Sequence, residues 1–483
     1  MLVRAGLADI FRHGIKGMPG FIFFAAAVSC AYFGPFLNNF FVGDDFFSME
    51  GVLQGPRTVL VGYDYNLRIF SNSFWWPLYA LFHLDPFGYS LFSLSLYLLN
   101  AILLYRLLDR LFADHQLAFL AAGIFVAGGV GADAVLWRAA NATLLSTSCY
   151  LLTLHSYVLF RQLKQRKYWY LSLVLFLLAI NSKEQAASLP VIIVLLEVLI
   201  FKERLENRQI INKVVPYVTI VVFYLLANYF IIHHLLHAQS FMAGITKVRP
   251  LYSLFAGWTV FFLSPIGRLS MSNPVIYVTA ALIPVSYFVV KDKKLLLFGY
   301  LWVFFTFLPQ SLSSQSQFHG DMLSNSISRQ LYLPSIGSSL VFATLLVTLR
   351  ERLTPRLHLA TRFLFLALYI VVQYARVHER GEQWQLEGEY VAHFIYEVQK
   401  LLPELPENSY VTVTYPPVGR AFTQSALRVF YGNPKIFWKD SAKELQTLPP
   451  GSYGIFIDFH WEDNWDNGKP ARAYIVESPL RGS

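Results

Sequence analysis

Apolar runs of roughly 17–25 residues recur along this 483-residue chain, each enough to cross a hydrocarbon core about 30 Å thick. Only 14% of the residues are charged and 55% are hydrophobic, where a soluble chain carries about a quarter charged. The sequence therefore reads as an α-helical polytopic membrane protein. The net charge of +9 does not point to nucleic acid, because the basic residues gather in short loops between spans, as the positive-inside rule predicts. Cys30 and Cys149 both lie inside apolar segments, so they supply neither a disulfide framework nor metal-ligand spacing. Residues 1–19 carry Arg4, Arg12 and Lys16 without a cleavage pattern, and read as a cytosolic lead before a retained anchor.

Charge counting places about eleven spans, near residues 20–42, 87–108, 117–131, 143–160, 168–180, 186–201, 214–232, 274–290, 295–310, 331–349 and 361–377. The N-terminus is then inside and the C-terminus outside. Residues 251–265 are apolar but short and end at Pro265. Counting them as a span would put Lys291, Lys293 and Lys294 outside, so they read as an interfacial or re-entrant segment. Residues 43–86 form a long outer loop with the aromatic run Phe74-Trp75-Trp76-Pro77, which fits an interfacial belt. The composition changes after Tyr374. Residues 378–402 read as an amphipathic helix, and alternating Tyr410–Tyr415, helical 420–431 and apolar Gly454–Phe459 suggest a small extracytoplasmic α/β domain. The expected domains are thus 1–377 in the membrane and 378–483 outside.

Several constellations are candidates for chemistry. Asp44 and Asp45 stand side by side just past the first span, and two adjacent carboxylates cannot both be buried and ionised without a cation. One can serve as general base on a hydroxyl while its neighbour orients it or binds a divalent cation such as Mg or Mn. The alternative is a helix N-cap before Phe-Phe-Ser-Met-Glu. Lys183 and Glu184 sit in the turn Asn181–Gln185 between two spans, either as a functional pair or as a polar turn from which Lys183 snorkels to water. Arg329 opens the outer mouth of the tenth span after a loop with His319, Asp321 and Asn325; it suits a lipid phosphate, or anchors to phospholipid headgroups. His233, His234 and His237 have metal-like spacing but no acidic partner, and read as an interfacial loop. Gly128, Gly129 and Gly131 follow no strand, and no phosphate-cradling nucleotide motif occurs, so ATP-driven transport has no support. The stretch His460–Trp465 reads as a structural tryptophan cluster, with sugar stacking as the alternative.

Six segments recur in a particular order. They are the aspartate pair; Leu84-Asp85-Pro86-Phe87-Gly88-Tyr89 leading to Asn100; Trp137 with Leu144-Leu145-Ser146; Ser182-Lys183-Glu184-Gln185; Phe307-Leu308-Pro309; and Arg329-x-Leu331-Tyr332-Leu333-Pro334-Ser335-Ile336-Gly337. Together they resemble the GT-C fold membrane glycosyltransferases, with the TMTC-type O-mannosyltransferases and their bacterial relatives the most similar branch, over about residues 36–345. Where that branch has Gly-Arg-x-Asp-Leu-Leu, this chain has Ala140-Asn141-Ala142-Thr143-Leu144-Leu145, and Ser328 replaces an acidic residue before Arg329. No tetratricopeptide repeats follow.

The resemblance implies an inverting transfer of a monosaccharide from a polyprenyl-phosphate carrier to a hydroxyl of a protein, glycan or lipid, on the extracytoplasmic face of a bacterial inner membrane. It implies Asp44 as base with Asp45 as its partner. It makes Lys183, Glu184, Arg329, Tyr332, Arg138 and Asn141 candidates for substrate binding, the cations facing the donor phosphate. Two other classes stay open: a lipid or glycan transporter, and a non-catalytic assembly partner with the same fold.

Overall fold

The structure, a computed structural model, describes residues 17–56, 58, 67–203, 208–231, 286–311, 328–349, 354–449, 451–459 and 473–476. The segment 251–265, most of the span expected at 274–290, the histidines at 233, 234 and 237, the loop with His319, Asp321 and Asn325, and the stretch His460–Trp465 lie outside them.

The helices run α1 Met18–Phe33, α2 Asp44–Gln54, α3 Ile69–Ser73, α4 Trp75–Phe82, α5 Pro86–Phe112, α6 His115–Ala127, α7 Ala132–Leu136, α8 Asn141–Leu163, α9 Arg166–Ile180, α10 Leu189–Leu195, α11 Arg208–Phe230, α12 Lys293–Ser311, α13 Ser335–Thr348 and α14 Pro355–Leu401. The chain then forms β1 Ser409–Val413, α15 Arg420–Tyr431, β2 Ile436–Trp438, β3 Tyr453–Phe459 and β4 Ala473–Val476. Among the described residues, five helices are long and apolar enough to cross a bilayer: Met18–Phe36, Pro86–Phe112, Arg138–Leu163, Arg208–Phe230 and Arg356–Leu401. The pair His115–Ala127 and Gly129–Leu136, bent by 44°, makes a sixth if it is one span. This is an integral membrane protein.

The chain divides into two compact units. The first holds Met1–Pro35, Leu91–Leu136 and Ala140–Arg380; the second holds Phe36–Ser90, Trp137–Ala139 and Gly381–Ser483.

In the first unit, helix ends and breaks follow local chemistry. Asp114 caps α6, its Oδ1 accepting from the backbone N–H of Gln116 at 2.9 Å and Leu117 at 3.0 Å. The run Gly128–Gly131 breaks the expected third span. Gly128 is extended, and the freed N–H of Gly129 donates to Gln373 Oε1 at 3.0 Å. A Cβ on Gly131 would stand 2.4 Å from Cδ2 of Tyr332, and one on Gly337 of α13 would stand 2.6 Å from the carbonyl oxygen of Gly299 in α12. These glycines let backbone and ring approach closely where association in lipid depends on packing. Gly131→Val should therefore displace the Tyr332 ring and destabilise the fold by about 1–3 kcal/mol, read as a lowered melting temperature of the purified protein; an unchanged value would show that the ring moves freely. Several buried polar groups are paired. Asn100 Nδ2 donates to Leu144 O at 3.1 Å and Tyr332 Oη at 3.3 Å, and Ser148 Oγ donates to Asn100 Oδ1 at 2.7 Å. Fully buried Glu197 lies 2.9 Å from Arg161 Nε and 3.3 Å from Lys213 Nζ, and accepts from the Tyr157 hydroxyl at 2.5 Å.

The span expected at 361–377 and the amphipathic helix expected at 378–402 are one continuous helix, α14, of 47 residues. At 1.5 Å per residue it is about 70 Å long, over twice a hydrocarbon core, so only part of it can lie in lipid. The change of composition after Tyr374 marks a change of surroundings, not a helix end.

In the second unit, Gly381 and Gly388 lie two turns apart on one face of α14. A Cβ there would meet the Phe36 ring at 2.3 Å and the Phe40 backbone at 3.1 Å. Trp384, between them, stacks on Trp137 with centroids 5.3 Å apart. The sheet has the order β2-β1-β3-β4, with β1 parallel to β2 and β3, and β4 antiparallel to β3. Helix α15 connects β1 to β2 as a crossover and buries Thr423, Ser425, Ala426, Leu427 and Val429.

Candidate functional site

The aspartate pair belongs to the second unit. Gly43 adopts φ 56°, ψ −118°, a backbone that a side chain would strain, and turns the chain sharply into α2. Gly43 itself is the N-cap residue, so neither aspartate is; both occupy the first helical turn, where the positive end of the helix dipole favours carboxylates. The two differ sharply. Asp45 is 0% exposed, whereas Asp44 is half-buried. Asp45 Oδ2 accepts the N–H of Val42 at 3.1 Å and its Oδ1 accepts the N–H of Ala139 at 2.7 Å.

Arg138 explains how this corner holds together. It is 2% exposed; Nη1 donates to Phe40 O at 2.9 Å, and Nη2 donates to Asn39 O and, at 3.0 Å, to Ser90 Oγ. Its guanidinium also lies 5.5 Å from the centre of the Phe41 ring. The residue expected to bind substrate thus has its Nη donors on the loop before α2 and on Ser90 of α5. Asn39 Nδ2 in turn donates to Gly381 O at 3.3 Å.

Burial pushes the Asp45 carboxyl up from 3.8 to about 6; the Arg138 guanidinium and the two backbone N–H groups pull it back only in part, and the charge of Asp44 adds to the rise. A carboxyl whose value is raised on folding holds its proton more tightly in the folded state. Its contribution to stability is therefore greatest below 3.8 and is lost as the pH rises through 6. Wild type should gain stability relative to Asp45→Asn as the pH falls from 7 to 4.5, little above pH 6 and with a slope approaching about 1.4 kcal/mol per unit below it. Paired thermal unfolding at several pH values checks this, and a pH-independent difference would contradict it.

Both Asp45 oxygens already accept backbone N–H groups, Arg138 adds positive charge, and no cluster of three metal-ligating side chains occurs among the described residues.

The other candidates belong to the first unit. Lys183 follows α9 and is 6% exposed, its Nζ donating to Thr143 Oγ1 at 2.6 Å. It is turned into the protein, so the snorkelling alternative does not describe it. Asn141, the first residue of α8, is 4% exposed; its Oδ1 accepts from Ser93 Oγ at 2.5 Å, and its Nδ2 has no partner among the described residues. Gln185 ties the lysine turn to the arginine turn, since Nε2 donates to Thr306 O at 3.1 Å and to Gln330 O at 2.8 Å. Glu184 and Arg329 are half-buried. Tyr332 is 1% exposed, between Tyr97 and Phe125, an interior residue whose oxygen is held by Asn100.

Sequence reasoning passed over two buried acids. Asp133, fully buried in α7, accepts from Arg380 Nε at 2.7 Å. Glu50, 1% exposed in α2, accepts from Arg428 Nη1 at 2.6 Å. Acidic residues in otherwise apolar stretches were the available signal.

Residues 70–233 match the family described as dolichyl-phosphate-mannose-protein mannosyltransferase. No curated protein sequence matches the chain. Among solved structures, ArnT from Cupriavidus metallidurans bound to undecaprenyl phosphate is similar at a TM-score of 0.53 and 15% identity, over 96% of this chain and 97% of that one. The Archaeoglobus fulgidus oligosaccharyltransferase tethered to an acceptor peptide is similar at 0.53 and 10% identity, over 89% of this chain. The chain spans only 64% of that protein's length. The archaeal oligosaccharyltransferase AglB from Archaeoglobus fulgidus, in complex with an inhibitory peptide and a dolichol-phosphate, is similar at a TM-score of 0.50 and 11% identity, over 87% of this chain and 64% of that one. At these identities the likeness is one of architecture: the chain has the GT-C fold.

Proposed function

We propose that the protein is a membrane glycosyltransferase that moves a monosaccharide from a polyprenyl-phosphate carrier to a hydroxyl acceptor, with inversion, on the extracytoplasmic face of a bacterial inner membrane. The observation that carries this reading is the division of labour in the aspartate pair. Asp45 is immobilised by two backbone N–H groups, while its half-buried neighbour Asp44 stands on the same rigid helical turn. A base carried on a fixed helical turn, beside a carboxylate that does not move, suits proton abstraction.

In this reading Asp44 takes the proton from the acceptor hydroxyl as its oxygen bonds to the anomeric carbon. The bond from that carbon to the carrier's phosphate oxygen breaks on the opposite face, and its electron pair leaves with the phosphate. Lys183 and Arg329 offset the growing negative charge. Asn141, with a buried and unpartnered Nδ2, donates to a substrate oxygen. Glu184 orients Lys183. Arg138 and Tyr332 act through the segments they hold rather than on substrate. The polyprenyl phosphates bound to ArnT and AglB support a carrier of that class. The acceptor is a protein, glycan or lipid hydroxyl.

The test supplies purified protein with polyprenyl-phosphate sugars and candidate acceptors, comparing wild type with Asp44→Asn. The expected result is transfer by wild type alone. Equal transfer by both forms would remove Asp44 as base, and no transfer from any donor would sink the reading.

A further inference from the structure

Helix α15, from the C-terminal part of the second unit, packs directly on α2, the helix that begins with Asp44 and Asp45. Phe422 meets Phe47 with ring centres 4.8 Å apart, and Phe430 stacks on Phe40 at 5.6 Å. Between these aromatic contacts lies a buried carboxylate. Glu50 Oε1 accepts from Arg428 Nη1 at 2.6 Å and from Gln54 Nε2 at 2.6 Å, and Oε2 accepts from Ser425 Oγ. Arg428 Nε donates at 2.7 Å to Ile436 O, the first residue of β2. One guanidinium therefore links α2 to the sheet.

Adhesion alone does not call for this arrangement. Phe47–Phe422 and Phe46–Phe430, the latter with ring centres 6.2 Å apart, already join the helices, and a buried ion pair seldom outperforms well-packed apolar side chains in stability. A charged, fully hydrogen-bonded pair instead admits one rotation and one register, because any slip leaves a buried charge unpaired. Asp44 precedes Glu50 by six residues on this helix, which at about 100° per residue turns it about 120° away from the face that α15 covers. Fixing Glu50 against α15 fixes the direction in which Asp44 projects.

We propose that Arg428 is a positioning residue for sugar transfer: through Glu50 it sets the rotation and register of the helix that carries Asp44, making the C-terminal part of the chain a working component of the catalytic apparatus. The inference rests on the transferase reading and adds to it a role for residues outside the matched segments.

The experiment uses the full-length protein in detergent or nanodiscs. Arg428→Gln should lower kcat by about 10–100-fold with the donor KM within about threefold, because a base displaced by about an ångström loses rate rather than donor affinity. Arg428→Lys should recover most of kcat, and the double variant Glu50→Gln, Arg428→Gln should be no slower than the slower single variant. Hydrogen exchange across residues 44–54 should quicken about tenfold in Arg428→Gln. Should that variant not fold, Ser425→Ala should show the same split at about threefold. Unchanged kcat in Arg428→Gln, unaltered exchange in residues 44–54, or a rise in KM with kcat intact would each overturn the proposal. An active wild type with an indifferent Arg428→Gln removes this inference alone, whereas a wild type that transfers from no donor removes the transferase reading beneath it.

Discussion

Asp44→Asn should lower the rate of sugar transfer by about 10²–10⁴-fold while donor binding changes little, the loss expected when a positioned general base is neutralised. The amide keeps the volume and the helical first turn, so the expected loss belongs to proton abstraction and not to folding. Asp45→Asn should behave differently. Asp45 contributes two hydrogen-bond acceptors to the backbone at Val42 and Ala139, and an amide can satisfy only one of them. That variant should lose melting temperature along with rate, whereas Asp44→Asn should lose rate alone. Measuring both quantities on both variants separates a base from its support. Equal losses of stability in the two would assign both carboxylates to structure.

The division between the two aspartates was not legible in the chain, and the reason is physical. Adjacent residues of one type have the same local sequence context, and what distinguishes these is Arg138 and the N–H of Ala139, the latter 94 positions away. The membrane character was legible because span length is a local property, and so was Lys183 as an exceptional group, because a cation between two spans has few places to go. Whether it would snorkel or turn inward depended on Thr143 in another helix. The glycines at 128–131 lie between helices and follow no strand, as the sequence suggested, yet their role as a helix break depends on Gln373 and Tyr332, which no window of sequence brings near them. Arg138 and Tyr332 stood out as motif residues and were read as substrate-binding; what no window of sequence shows is that both are buried, Arg138 donating to Phe40, Asn39 and Ser90 and Tyr332 bonded to Asn100, all far away in the chain. Glu50 and Arg428 were silent for the strongest reason, a separation of 378 residues.

The second large effect concerns Lys183. Lys183→Met should reduce transfer by about 10²–10³-fold, the usual cost of removing one preorganised group that stabilises developing charge. The ammonium is 6% exposed and held by Thr143 Oγ1 at 2.6 Å, so its position is set before any phosphate arrives and little reorganisation is needed during reaction. Burying that charge costs stability, and methionine matches its length without the cost. Lys183→Met should therefore melt no lower than wild type while losing activity, a combination that a purely structural lysine does not produce. Thr143→Val keeps the charge but removes this hydrogen bond, and should cost only about tenfold, mostly in kcat. Wild-type transfer by Lys183→Met would exclude the lysine from phosphate stabilisation. A fall in melting temperature with proportionate loss of rate would place it among the residues that hold α8 to the turn after α9.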